Sequence, residues 1–322
     1  MPVTSRRLDV RLTNAFVFAR AQHVEACPDT GPACRAATPP APYRHDVRLF
    51  IDDTIVDLAY GLTPWATVES RIGVRTIVER PRYTELDDTP KAVDDIHHRR
   101  ETLFGPTDPW LVLRTGARRG SFLVAARLGV SLPLGSTVED PNRLAAAGLP
   151  HEHFQLGTGT FMPLFGASFG YVTPHFEASA SAIGTASLYE NGKGYRPGSR
   201  LFAGARATFP LFANGALRPF GAVDLAHDER ELWHGEEAAE GTSLRTDVLA
   251  GGGVAWTFAA PWQVEAGFRV RIAQLSGAPT LDYPALFQIS VATSFDAASG
   301  AAPPSSVTSS RPFTARARGP LR

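Results

Sequence analysis

The stretch Ala66-Thr-Val-Glu-Ser-Arg-Ile-Gly-Val-Arg-Thr76 alternates strictly. Ala66, Val68, Ser70, Ile72, Val74 and Thr76 are apolar or small, while Thr67, Glu69, Arg71, Gly73 and Arg75 between them are polar or lack a side chain. Successive side chains of a strand point to opposite faces, so one face here suits lipid or a core and the other suits water. Trp262 to Ile272 repeats the pattern, with Gln263, Glu265, Gly267, Arg269 and Arg271 on its polar face. Ser243 to Phe258 and Ser121 to Leu132 do the same. These runs exceed the roughly five or six residues of ordinary sheet strands.

Working outward, twelve such segments are found near residues 6–23, 44–60, 65–78, 110–118, 121–134, 159–172, 175–188, 199–211, 217–230, 243–258, 262–274 and 285–295. Their connections alternate, short at Gly61–Pro64, Arg119-Gly120, Thr173-Pro174, Phe212–Ala216 and Ala259–Pro261, and longer between. This spacing predicts an all-β chain folded as a single closed antiparallel transmembrane β-barrel, with short periplasmic turns and long external loops. The first strand begins and the last ends on the short-turn side. Tyr60, Trp65, Phe122, Tyr171, Phe176, Phe258 and Trp262 lie close to the short turns, as an interfacial aromatic girdle requires. A soluble sandwich or lipocalin-like barrel is the alternative; long strands with a charged inner face argue against it. Residues 1–295 read as the barrel, and the aperiodic Ala-, Pro-, Ser- and Arg-rich residues 296–322 as a disordered tail.

Composition narrows the function classes. Lys+Arg number 32 against Asp+Glu 32 in 322 residues, with a pI near 7.1, so the basic footprint of a nucleic-acid binder is missing. No run approaches the ~18 apolar residues of a spanning helix, and mean hydropathy is -0.10. Met1 to Arg7 lacks the apolar core of a secretory signal, so an outer-membrane location implies a start that is truncated or set downstream of the true one. Cys27 and Cys34 form no CxxC and have no second pair for a zinc site. A disulfide in the first external loop is expected rather than two free thiols, since Pro28, Gly31 and Pro32 allow the reversal it needs.

Alternation places Glu69, Arg71, Arg75, Arg114, Arg127, Arg245, Asp247, Glu265, Arg269 and Arg271 on the lumen side, together with Arg11, Asp53, Asp57, Arg118, Glu177, Arg206 and Asp224. The inner face therefore reads as continuously polar. A lumen of this strand number is only slightly wider than side chains can fill. Interleaved charges would pair across it, as a salt-bridged plug or as a selective constriction. Arginine excess on the third to fifth strands favours anionic or carbonyl-bearing solutes.

His97, His98, His151 and His153 occupy neighbouring long loops, and imidazole with carboxylate suits zinc, copper or nickel. Solvated loop histidines are the expectation, with no metal or cofactor. A barrel phospholipase needs a lipid-facing Ser beside a His, and a barrel protease an Asp/His set at the external rim. Only Asp224, His227, Asp228 and His234 come near, so no catalytic residue is assigned. Gly251-Gly-Gly253 is mid-strand and lacks the strand-to-helix setting of a nucleotide loop.

The succession Tyr60-Gly-Leu-Thr-Pro-Trp65, Gly105-Pro-Thr-Asp-Pro-Trp-Leu111, Ala126-Arg-Leu-Gly-Val-Ser-Leu-Pro-Leu-Gly135 and Gln155-Leu-Gly-Thr-Gly-Thr160 resembles the MetA-pathway phenol-degradation family of outer-membrane transporters. The likeness runs from Tyr43 to Phe295, with Pro64 where that family usually has Asp and Pro106-Thr107 where Gly would precede Asp108. Leu286 to Phe295 likewise resembles the closing strand signature of outer-membrane barrels. The resemblance implies a channel for small, often hydrophobic or aromatic, solutes and assigns no catalytic residue. Expected partners are the lipid bilayer, lipopolysaccharide, a small solute and the barrel-assembly machinery. A non-conducting structural or adhesion barrel is the alternative function, and an outer-membrane enzyme a more distant one.

Overall fold

Alternating residue type becomes alternating burial along the long strands. The computed structural model describes residues 5–25, 41–92, 99–211, 216–237, 244–277 and 281–296. In chain order the elements are β1 (Arg7–Glu25), β2 (Tyr43–Thr63), β3 (Ala66–Thr84), β4 (Thr102–Pro106), β5 (Trp110–Arg119), β6 (Phe122–Ser131), α1 (Pro141–Ala146), β7 (Met162–Val172), β8 (Glu177–Thr185), β9 (Tyr195–Arg196), β10 (Arg200–Thr208), β11 (Leu217–Asp228), β12 (Leu232–Trp233), β13 (Glu236–Glu237), β14 (Arg245–Ala259), β15 (Trp262–Ser276) and β16 (Ala285–Asp296). β1 pairs antiparallel with both β2 and β16, so twelve strands close into one barrel. β1 begins and β16 ends on the short-turn side, where Leu8 lies opposite both Tyr60 and Phe295.

Each short connection has a local cause. Arg119 lies opposite Phe122 across Gly120-Ser121, a two-residue hairpin turn in which Gly120 takes φ 59. A side chain would resist that backbone, and glycine does not. β4 falls inside the connection expected to be a plain loop. Val74 of β3 faces Pro106 and Arg71 faces Trp110, so two residues of β3 oppose Thr107-Asp108-Pro109. β4 and β5 are thus one wall strand interrupted by a bulge, where Pro109 has no N–H to donate. β9, β12 and β13 form a small separate sheet in the external loops.

Large apolar side chains cover the outside: Leu128 is 70% exposed, and Ile72, Leu113, Val124, Phe165, Val223 and Ile289 are also exposed. The aromatics near the short turns fit a girdle, with Tyr60, Trp65, Phe122, Phe258 and Trp262 exposed. Ten residues up β2 from Tyr60 stands Phe50, in ring contact with Phe18 at 5.2 Å. At ~3.3 Å per residue and ~40° tilt, that span is about 25 Å, the height of an outer-membrane apolar band.

Candidate solute pathway through the barrel

The lower half of the interior is a belt of paired charges. Asp57 faces Arg71 and Asp53 faces Arg75 directly across the β2–β3 hairpin, with contacts of 2.9 and 2.7 Å. Glu69 of β3 receives both Arg114 of β5 at 3.2 Å and Arg127 of β6 at 3.0 Å. On the far wall the pairs skip strands. Arg206 of β10 reaches Glu265 of β15 at 3.1 Å, Arg269 of β15 reaches Asp224 of β11 at 2.5 Å, and Arg218 pairs with Glu177.

Glycine makes those long reaches possible. A Cβ on Gly253 would lie 2.6 Å from the Phe220 ring, one on Gly267 would lie 3.1 Å from it, and one on Gly204 would lie 2.2 Å from Asp224. Phe220 therefore lies flat over a side-chain-free patch of β14 and β15. The Arg206 guanidinium sits 3.6 Å from its ring centroid, an orientation that favours a cation over the aromatic face.

Above this belt the interior carries an apolar collar, which corrects the expectation of a continuously polar inner face. Val17 and Ala19 of β1, Val47, Leu49 and Ile51 of β2 and Ile77 of β3 form a buried cluster. Leu103, together with Phe154, Leu156, Leu281 and Tyr283 from the external connections, packs against it. A second cluster, Phe202, Ala226 and Leu249, lies across the lumen, and Tyr283 touches both. The loops thus turn into the mouth of the barrel and cover its apolar collar.

Tyr283 is held from three sides. Its hydroxyl donates to Asp247 Oδ2 at 2.6 Å, and Arg245 and Arg271 approach its ring at 5.1 and 5.0 Å. Burial, then the bond to Asp247, pushes the phenol's pKa up, so it remains a donor. Arg245 Nε binds the same Asp247 oxygen at 2.7 Å and its Nη1 donates to the Leu281 carbonyl at 2.8 Å. Arg245, Asp247 and Arg271 therefore secure the roof.

Between roof and belt lies a cavity of about 120 Å³. Val17, Ile51, Phe202, Leu249, Leu281 and Tyr283 form its apolar part; Asp53, Arg71, Ser179, Ser181, Arg206, Asp224, Glu265, Arg269 and Gln288 form its polar part. An apolar cavity of about 150 Å³ in another protein holds benzene. A smaller cavity of about 40 Å³ lies beside Glu69, Trp110 and Arg127 and shares Arg71, Ser179 and Ser181 with the first. Arg71 sits 4.7 Å from the Trp110 ring.

The connection from β6 to β7 carries Phe154 and Leu156 inward, and Glu152 anchors it. Carboxylate oxygens of Glu79, Glu101 and Glu152 lie within 4.8 Å of one another, and Arg99 binds Glu101 at 3.0 Å. Burial first, then the bond to Glu101 and the charge of Glu79, raises Glu152 from 4.5 to about 9. Its folded pKa lies above the unfolded one, so its stabilising contribution is full below 4.5 and is lost as pH rises through about 9. The melting temperature is expected to fall as pH is raised from neutral past that value, with a shallower fall in Glu152→Gln. Identical slopes for the two proteins would exclude this carboxyl as the cause.

The other singled-out residues disperse. Asp224 pairs with Arg269, Asp228 lies 3.6 Å from Arg200, His227 Nδ1 meets Thr246 Oγ1 at 2.8 Å, and His234 lies 3.3 Å from Asp140, so the Asp/His set does not converge. The rings of His151 and His153 are 5.3 Å apart. His97, His98, Cys27, Cys34 and the tail beyond Asp296 lie outside the described residues. Gly251-Gly-Gly253 lies within β14.

Sequence reasoning missed the junction at Asp108. Its carboxylate accepts from Gly135 N at 2.8 Å, Thr158 N at 2.7 Å and Thr158 Oγ1 at 2.6 Å. Three of the four segments that carry the family resemblance thus meet at one point. The glycines common to all three, with the single Asp108, were the available signal.

No protein-family model matches the sequence, and no curated protein matches it. Among solved structures, an outer membrane channel from Pseudomonas putida F1 superposes with a TM-score of 0.59 at 9% identity, covering 91% of this chain and 97% of that one. The Ralstonia pickettii toluene transporter TbuX gives 0.43 at 10% identity over 91% and 90%. A mutant of the monoaromatic hydrocarbon channel TodX gives 0.45 at 7% over 91% of each chain. The first likeness is one of fold, that of a closed outer-membrane β-barrel.

Proposed function

We propose that the protein passes small solutes with an apolar body and a polar group, such as monocyclic phenols, across the bacterial outer membrane. The observation that carries this reading is the cavity with an apolar roof and a polar floor, sized for a single ring. The resemblance to the phenol-degradation transporters points the same way. Glu69, Arg71, Arg75, Arg127, Glu265 and Arg269 are the lining we assign to the solute, and Arg271 acts through Tyr283. The arginines are matched by carboxylates, which favours neutral hydrogen-bonding solutes over the anionic ones that arginine number alone suggested.

A second reading, a non-conducting barrel, draws on the same ion pairs and on the loops that fill the mouth. One experiment separates them. Purified barrel in liposomes is tested for uptake of phenol, a fatty acid and glucose. Phenol is expected to enter faster than into empty liposomes, and glucose is not. If no solute outpaces the empty control, the non-conducting barrel is the better account.

A further inference from the structure

The outer face of β1, β2 and β3 carries an arrangement that neither the solute pathway nor the closure of the barrel requires. Arg20, Arg48 and Arg80 lie directly opposite one another in a single cross-strand row. All three are exposed. Side chains directly opposite on neighbouring strands stand ~5 Å apart at Cβ, and like charges there repel. Arg20 is matched by Asp46 at 2.6 Å. Arg48 and Arg80 have no carboxylate within ion-pair distance among the described residues; Arg80 only donates to the neighbouring Glu79 carbonyl at 2.8 Å.

Asp282 lies opposite Arg20 at the β1 end of the row and pairs with Arg271, so the net positive part of the row is Arg48 and Arg80. Arg82 lies in the next row, opposite Asp46, and Arg44 beyond it pairs with Asp88. Asp52 is the acidic group below, two rows away and hydrogen-bonded to Asn14 at 2.6 Å. Depth is the second observation. The row immediately beneath the arginines is Phe18, Phe50 and Val78, the upper limit of the apolar band. Two residues further up a tilted strand is ~5 Å, the level of lipid phosphates above the acyl region.

We propose that this row binds phosphate monoesters of an anionic glycolipid in the outer leaflet. Planar guanidinium groups match phosphate oxygens in pairs, and a phosphate between two strands turns the repulsion of Arg48 and Arg80 into bridging. The site is independent of whether the lumen conducts.

The test uses the whole barrel in phosphatidylcholine nanodiscs, with and without a minor fraction of bis-phosphorylated lipid A, and compares wild type with Arg48→Gln/Arg80→Gln. Lipid A is expected to raise the melting temperature of the wild type, and the variant is expected to lose that rise. In phosphatidylcholine alone the variant should melt no lower than wild type, because the repulsion is gone. A rise that persists in the variant, or an equal rise with dephosphorylated lipid A, overturns the proposal. An equal rise with inorganic phosphate also overturns it, by making the row a site for free anions.

Discussion

Glu69→Ala is expected to destabilise the barrel by about 3–5 kcal/mol, because it strands two buried cations. The side chains of Arg114, Arg127 and Glu69 are 5%, 8% and 4% exposed, so the loss of the carboxylate leaves both cations largely cut off from bulk water. Denaturant unfolding in detergent, followed by tryptophan fluorescence, measures the loss. The internal standard is Glu139→Ala, which removes two solvent-exposed pairs of a 51% exposed carboxylate, with Arg143 and with Lys193, each at 3.1 Å. Exposed pairs of that kind contribute at most about 1 kcal/mol. If Glu69→Ala loses no more than this standard, the belt is hydrated and the account of a dry ionic lumen is wrong.

Tyr283→Ala is expected to raise solute flux several-fold. The ring touches the apolar clusters on both sides of the lumen, so removing it joins the cavity beneath to the external mouth. Tyr283→Phe is the matched control. It keeps the ring and loses only the bond to Asp247, which should cost about 1 kcal/mol of stability and leave flux near wild type. Equal phenol uptake by the alanine variant and wild type in liposomes would mean that the barrier lies elsewhere, in the ionic belt.

Alternation carried most of the fold because a barrel wall has two environments and strands have period two. The Asp53–Arg75 and Asp57–Arg71 pairs are legible in the same way, since each is equidistant from the tight turn after Gly61. Arg206–Glu265 and Arg269–Asp224 are not, because their reach depends on what Gly253, Gly267 and Gly204 omit. The apolar collar was hidden for a different reason. In upper β1 and β2 the inward face turns apolar, with Val17, Ala19, Leu49 and Ile51, while the outward face mixes Phe16, Phe18 and Phe50 with Arg20, Arg48 and Asp52, so alternation there points to the wrong side as the polar one. The inward loops have no period at all.

The junction at Asp108 bears on how such proteins can vary. Gly157 N donates to the Ser136 carbonyl at 2.7 Å, while Asp108 clamps Gly135 on one side and Thr158 on the other. The excursion from residue 137 to residue 156 therefore leaves and re-enters the wall through a fixed socket. It is an exchangeable cassette. A different insert, longer or bearing other side chains in place of Phe154 and Leu156, can be seated in the same socket and present a new mouth to the same barrel.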